Sequence, residues 1–562
     1  MTTNYDICII GAGQSGLTTC KTFSEKNYKV IVLEKCVNCN GMFATIKEPD
    51  LFKWSTSRYM SGFSDFPMDK NIPVWFTITD YINYLDSYKK HFNLDQYIQY
   101  NSDVLQCKQL DNDEWNIIYK IDHITKQLTC KKLIICAGLN QTPKFPEIVN
   151  NFSGEIIHTE EIYRKMDRTD WFQKFHGKRV LLLGGGESAF DIGHVLTQYV
   201  EPNNLYYSTK DYIEWFPTGG ESSNIIKQFD KNSFLYKLYK LQINPTDTKL
   251  LGVEYSLPEP MSHFWHEYGR HIVYSFISEK YDSNKCTHHL KKLCDINETP
   301  NNLFKKYVVK RDEFLLDLYD NKATIVYYPS KIENNIIYTK ELELTDIDII
   351  VCASGFKKDF PFLESTVYND EMIKKMIPKN TKNIAFIGYA RPTMGSIAAV
   401  TEMQSWWVKL YFENKLNYTI RKPWFRTVDP LNLSNEHINT LVIGCFYIKD
   451  LAKDMNLEPN MLYLLFTDIT LFKYIYFGSC HPMIYRIQGQ KYTPESRDIL
   501  LNTFPKYYYN PYIFYYLFFI VLHLIFIIFI IVMLYALCKL FNFKIDKYFY
   551  ILCLFILYMF YS

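Results

Sequence analysis

The stretch Tyr5–Leu17, YDICIIGAGQSGL, decides the fold of this chain. Its apolar run reads as a buried strand, Gly11, Gly13 and Gly16 make a tight turn, and the segment through Lys26 reads as a helix. A further apolar run, KVIVLE, closes a strand–turn–helix–strand unit and places Glu34 at its end, 23 residues after Gly11. Such a turn presents backbone N–H groups at a helix N-terminus to a pyrophosphate, and an acid ending the second strand accepts from a ribose 2′-hydroxyl. Ala12, Gln14 and Ser15 lie in the same turn and are expected at the same ligand.

The pattern recurs at Arg179–Gly193, RVLLLGGGESAFDIG, followed by the strand NLYYSTK that ends at Lys210. Gly184, Gly186, Ser188 and Ala189 are expected beside a second pyrophosphate, Ala189 standing where the fingerprint tolerates alanine for its third glycine. Asp191 either faces that nucleotide or caps the turn. This strand ends in Ser208, Thr209 and Lys210 rather than an acid. A cation with two hydroxyls suits a 2′-phosphate, so NADPH is favoured over NADH. Two nucleotide folds in one chain imply one cofactor that stays and another that delivers electrons to it. FAD on the first fold and NADPH on the second is the economical assignment.

The expected fold class is α/β, with two Rossmann-like dinucleotide-binding domains: an FAD domain carrying an inserted NADPH domain, a helical insertion, and a C-terminal membrane anchor. The apolar runs Lys131–Leu139, Asp346–Phe356 and Asn383–Ala390 suggest strands supplied to a sheet from both sides of an inserted domain. The corresponding boundaries are 1–160 and 326–445 for the FAD domain, 161–325 for the NADPH domain with its insertion at about 211–325, 446–508 for a C-terminal region, and 509–562 for the anchor. The anchor rests on Pro511–Cys538, 28 residues without Asp, Glu, Lys or Arg, where roughly 20 apolar residues suffice to cross a bilayer. A shorter apolar run, Tyr548–Tyr561, is interfacial or the return arm of a hairpin.

Composition excludes other classes. With 62 basic against 60 acidic residues and a net charge of +2, the chain has no electrostatic footprint for nucleic acid. Fourteen scattered cysteines and a first strand at Tyr5, which leaves no room for a signal peptide, point to reduced thiols in the cytosol. No Cys/His spacing fits zinc, and the adjacent pair His288-His289 cannot share one helical face, so no metal site is expected.

Further blocks carry a family resemblance. Phe63–Pro67 (FSDFP), Phe152–His158 (FSGEIIH), DIIVCASGFKKDFPFL, Ile384–Trp407 and Phe466–Gly489 occur in one order along the chain. In these the sequence resembles the flavin-containing monooxygenases over nearly its whole length, including the hydrophobic tail. The resemblance implies FAD and NADPH as cofactors, O2 and a small soft nitrogen or sulfur nucleophile as substrates, and oxygenation through a C4a-hydroperoxyflavin. It also implies a membrane-bound enzyme of the endoplasmic reticulum whose catalytic domains face the cytoplasm. Gly41, Met42 and Phe43 fall at the family's segment before the flavin, where Asn40 replaces a glycine. Ser55, with Thr56 beside it, stands where animal members carry an asparagine next to the flavin and nicotinamide. Ile162 takes the place of the aromatic that closes the FxGxxxH signature, with Tyr163 following. Arg391 stands at a family glutamine.

Three other readings stay open. Cys36-Val37-Asn38-Cys39 is a CxxC pair, as in flavin disulfide reductases, although it lies near the adenosine end of the FAD. A Baeyer–Villiger-type oxygenase would use a positioned arginine, for which Arg391 is a candidate. An uncoupled NADPH oxidase would release hydrogen peroxide.

Overall fold

The computed structural model describes residues 3–210, 213–215, 307–309, 313–364, 367–368, 372–392, 395–416, 418, 441–442, 444–477 and 481–503, with single positions at 521, 525 and 532. Strand β1 (Thr3–Ile10) runs into helix α1 (Gln14–Ser24) and returns as β2 (Val30–Leu33), parallel to β1. On the other side of β1 lies the long β6 (Ile124–Ile135), also parallel. β3 (Ile98–Gln99) extends the sheet beyond β2, while β4 (Asp103–Gln109) and β5 (Trp115–Ile121) form an antiparallel ribbon against the first half of β6. The second half of β6 pairs instead with Ile384–Phe386, so one strand spans both partners. Because β1, β2 and Leu133–Ile135 are covered on both faces, they read as continuous rather than alternating apolar runs.

Helix Ile397–Phe412 covers α1. It is buried nearly all round, and its small residues let the two helices approach, with Thr19 Oγ1 3.0 Å from Ser405 Oγ.

The second sheet is wholly parallel. Its strands are β7 (Glu155–His158), β8 (Val180–Leu183), β9 (Leu205–Ser208), β10 (Thr324–Ile325) and β11 (Ile349–Cys352), ordered β10-β9-β8-β11-β7. Helix α2 (Glu187–Leu196) follows the second glycine turn. Two expected boundaries move as a result. β7 lies before residue 161 and β11 after residue 326, yet both pair in the second sheet and not the first. A parallel strand buried on both faces carries no mark of which sheet it joins, so apolar runs alone misassigned them.

Of the insertion expected at about 211–325, the described ends form two short parallel strands, Ile213–Trp215 and Tyr307–Val309, and a helix, Glu313–Tyr319. The Phe314 ring of that helix fills the space beside Gly193. The remainder, including His288 and His289, lies outside the described residues. So does nearly all of the expected anchor. Among the described residues no helix is long and apolar enough to cross a membrane.

Candidate functional site

Both glycine turns sit at the carboxyl ends of parallel strands, where open α/β sheets bind ligands. In the first, Gly11 has φ 98°, and a Cβ there would lie 2.7 Å from the Cys136 carbonyl oxygen. A Cβ at Gly16 would overlap the Gly11 carbonyl oxygen, which locks α1 against the turn. Gly13 caps α1 with no side-chain acceptor, and the first helical turn contains no acid. The unpaired N–H groups of that end therefore face outward for an anion. Gly41, with φ 59°, closes over them: a Cβ on it would stand 3.1 Å from Gly13 Cα.

Glu34 is buried, and its carboxylate is already partly used. Oε2 accepts from the Ala12 N–H at 2.6 Å and Oε1 from the Cys36 N–H at 2.8 Å. Each oxygen has a further lone pair for a ribose hydroxyl, so the acid both braces the turn and remains able to accept. Gln14 Oε1 accepts from the Tyr81 hydroxyl at 2.7 Å, and Ser15 packs beneath the turn at Gly388. Asn40 is buried with no partner for its Oδ1. The glycine cradle, the uncapped helix and this orphaned amide oxygen together fit a dinucleotide such as FAD.

The second turn repeats the plan with differences. Gly184 has φ 148°, and its N–H donates to the Ser208 carbonyl at 2.9 Å. Gly186 caps α2 without a side-chain acceptor, but Glu187 opens the helix, placing an acid in its first turn. Ser188 follows it, half-buried at the turn, and Ala189 is wholly buried against the second core. Ser208 is fully buried with no partner for Oγ, Thr209 is buried beside it, and Lys210 is exposed. An orphaned hydroxyl at the strand end, followed by a cation, fits a second nucleotide. Asp191 accepts from the Tyr163 hydroxyl at 3.3 Å, which gives it a contact within the protein.

Between the two turns runs the segment 41–57. Phe43 and Trp54 pack against the cores of both sheets, with ring centroids 4.9 Å apart. Met42 Sδ accepts from the Asn140 amide. Ser55 follows Trp54 in this seam and is half-buried. Ser61 Oγ donates to the Ser57 carbonyl at 2.9 Å, so the Thr56 hydroxyl, 2.8 Å away, donates to Ser61 and its hydrogen is committed inside the chain.

Tyr163, one residue beyond the expected aromatic position, bridges the units. Its carbonyl accepts from the Lys47 N–H at 2.9 Å, its ring meets Phe52 edge-on, and its hydroxyl reaches Asp191. Ile162, at the expected position, is buried in the second core. The rest of the signature is structural. The Phe152 ring lies over Gly154, and His158 Nδ1 accepts from the Glu160 N–H at 3.1 Å to cap the next helix.

A buried ion cluster escaped the sequence reading altogether. Glu402, on the buried helix Ile397–Phe412, accepts from the Ser64 N–H at 2.9 Å and from Arg486 Nη2 at 3.1 Å. Arg486 also reaches Asp65 at 3.1 Å, contacts Ser64 Oγ and lies over the Trp406 ring. Asp65 pairs in turn with Lys21 of α1. Burial and the neighbouring Asp65 push the Glu402 carboxyl above its ordinary range, against the pull of Arg486. His481 accepts from the Met483 N–H through Nδ1, which leaves Nε2–H to donate to the Gly62 carbonyl at 2.8 Å. Its burial lowers the imidazole pKa to about 4. FSDFP and two late blocks are thus one clamp behind the first turn.

Cys36 and Cys39 are free. Burial raises both thiols, Cys39 to about 11, with Glu34 adding to the effect at Cys36. Redox-active pairs depend on a lowered thiol pKa, so the arrangement opposes that role. Among the described residues no cluster of His, Cys, Asp or Glu could hold a metal. Arg391 lies in a short strand beside Leu441–Val442.

The sequence profile of a family described as flavin-binding monooxygenase-like matches residues 4–213 and 322–510. A 4-hydroxybenzoate brominase (decarboxylating) of Marinomonas mediterranea is 26% identical over 516 residues, covering 88% of this chain and 92% of its own. Flavin-containing monooxygenase 5 of Cavia porcellus is 23% identical over 542 residues, covering 90% and 92%. Among solved structures, an oxidized steroid monooxygenase bound to NADP superposes with a TM-score of 0.54 at 15% identity, over 81% of this chain and 98% of that one.

Proposed function

From the premise that the chain belongs to the flavin-binding monooxygenase-like family, we propose that it is an NADPH- and O2-dependent oxygenase of small molecules with a soft nitrogen or sulfur nucleophile. One oxygen atom goes to the substrate and the other leaves as water, with NADPH supplying the two electrons. The observation that carries this reading is the seam. A single segment, 41–57, lays Phe43 and Trp54 against both cores, and Ser55 follows Trp54 in it.

Bound FAD supplies the redox chemistry, accepting hydride from NADPH and activating O2. The residues supply position and dryness. Gly11, Gly13, Gly16 and Gly41 admit the FAD pyrophosphate, and Glu34 accepts from its ribose. Met42, Phe43 and Trp54 exclude water from the space between the nucleotides. Gly184, Gly186, Ser188 and Ala189 shape the NADPH turn, while Ser208, Thr209 and Lys210 receive its 2′-phosphate. Ser55 offers a hydroxyl donor where the two cofactors meet. The apolar run at 511–538 holds the enzyme at a membrane, with its catalytic units on the cytoplasmic side.

Likeness to a brominase over most of the chain favours a second reading, in which bromide is the nucleophile and hypobromous acid the product.

Detergent-solubilised full-length protein mixed with NADPH in aerated buffer tests both. The flavin absorbance is expected to fall and recover, and a tertiary amine or thioether should be oxygenated with little hydrogen peroxide released. Oxygenation of bromide but of neither nucleophile selects the second reading. Peroxide equal to the NADPH consumed, whatever is added, would make the protein an oxidase. A flavin that NADPH does not bleach would sink the two-site assignment.

A further inference from the structure

We propose that the helix pair Met461–Thr467 and Ile469–Phe477 is a second membrane contact, an apolar face seated on the lipid surface beside the C-terminal apolar run. The proposal rests on the membrane attachment assigned above.

Leu462, Leu465 and Phe466 recur at spacings of three and four, so they share one face of the first helix, while Leu464 turns into the core. Ile469 opens the second helix immediately beyond the break at Asp468. Leu462 is 71% exposed, Phe466 84% and Ile469 48%, and Tyr463 is exposed alongside them. Large apolar side chains gathered in two successive turns mark a surface that another phase covers. Lys473, one turn after Ile469 on the same side, is exposed and can extend its amine to a phosphate while its stem follows the apolar face.

The fold ties this face to the point where the apolar run begins. Arg497 of helix Ser496–Thr503 donates to Asp468 at 2.6 Å, at the break between the two helices. Seven residues lie between Thr503 and Pro511, and the eight steps reach at most about 28 Å even when extended. A run that enters a bilayer from there brings the face to the lipid surface. The positions of that run that are described, Val521, Ile525 and Val532, are helical and half or more exposed. These three side chains are thus uncovered and not spent as a lid on the helix pair, which favours lipid as the occupant.

The test uses the full-length protein in phosphatidylcholine nanodiscs, made with ordinary or brominated acyl chains. Phe466→Trp adds one fluorophore to the 9 native tryptophans, and its contribution is read as the difference from the parent. At least a twofold loss of that added signal in brominated discs is expected, and Leu462→Trp should repeat it. Ile124→Trp, at the exposed β5–β6 turn, should show no such loss. Equal insensitivity at 466 and 124 would overturn the proposal while leaving attachment through the run intact. Added emission that is blue-shifted but indifferent to bromine would mean that the chain's own run covers the face. A blue shift that grows with protein concentration would assign it to a second copy, and either result overturns the lipid assignment. Failure to enter nanodiscs at all overturns this proposal and the membrane attachment together, whereas NADPH-driven oxygenation in solution is a separate readout.

Discussion

At the first glycine turn, α1 begins without an acid and a buried carboxylate, Glu34, braces the loop from behind; at the second, α2 begins with Glu187 and the neighbouring strand ends in an orphaned hydroxyl. The first turn is also backed by the clamp of Lys21, Asp65, Glu402 and Arg486, whereas the second is backed by the single helix Glu313–Tyr319 and the Tyr163 bridge. The same local plan is thus built once with a buried brace and once with an acid at its mouth, a contrast that fits the proposed division between a retained and an exchanged cofactor. An acid at a helix N-terminus opposes a bound pyrophosphate by a modest amount, which suits a cofactor that must arrive and leave each cycle.

The comparison can be broken most sharply at Gly16. Its side-chain-free position allows α1 to meet Gly11, so Gly16→Ala is expected to give protein without flavin, read as loss of flavin absorbance after purification. A variant that keeps its flavin would show that the first turn is not the retentive site.

Next in size is the clamp. Arg486→Met leaves Glu402 buried without its cation while Asp65 keeps Lys21, a loss of about 3–5 kcal/mol in the stability of the first unit. The expected sign is a lowered temperature of flavin release. Flavin release unchanged would mean the clamp does not serve retention.

His481 gives a pH signature of the same clamp. Its folded-state pKa lies below its unfolded value, so the unfolded chain takes up the proton first. The stabilisation is complete above about pH 6.5 and is lost as pH falls towards about 4, roughly 3 kcal/mol in all. His481→Asn should flatten that part of the stability profile, measured as flavin-release temperature against pH. A variant with the parent's slope would place the acid sensitivity elsewhere.

The smallest effect sharpens the second site. Glu187→Gln removes the acid from the first turn of α2 and should tighten NADP roughly two- to five-fold, less at high salt. FAD content should not change. Weaker binding would assign Glu187 a contact with the cofactor and reverse the argument for exchange.

Much of this was legible in the sequence, and the limits have physical causes. The two turns and Glu34 were readable because a strand, a tight turn and a helix follow one another within about 30 residues. The sheet membership of β7 and β11 was not, since buried parallel strands look alike. The clamp was invisible because Ser64 and Arg486 meet across 422 residues, and Glu402 sits in a helix whose surroundings are apolar. The commitment of the Thr56 hydroxyl depends on where one hydrogen goes, which no spacing encodes. The exposed face at Leu462 and Phe466 has the spacing of an ordinary amphipathic helix, and only its burial pattern shows that it points outward.

The interleaving of the two sheets also sets an order of assembly. The second sheet is complete once β11 has emerged from the ribosome, near residue 352. The first sheet, although it starts the chain, waits for Ile384–Phe386 and then for the helix and arginine that lock it, ending at residue 486. The nested unit therefore closes before its host. The host remains open around a finished insert, and its clamp cannot close until residue 486 has emerged.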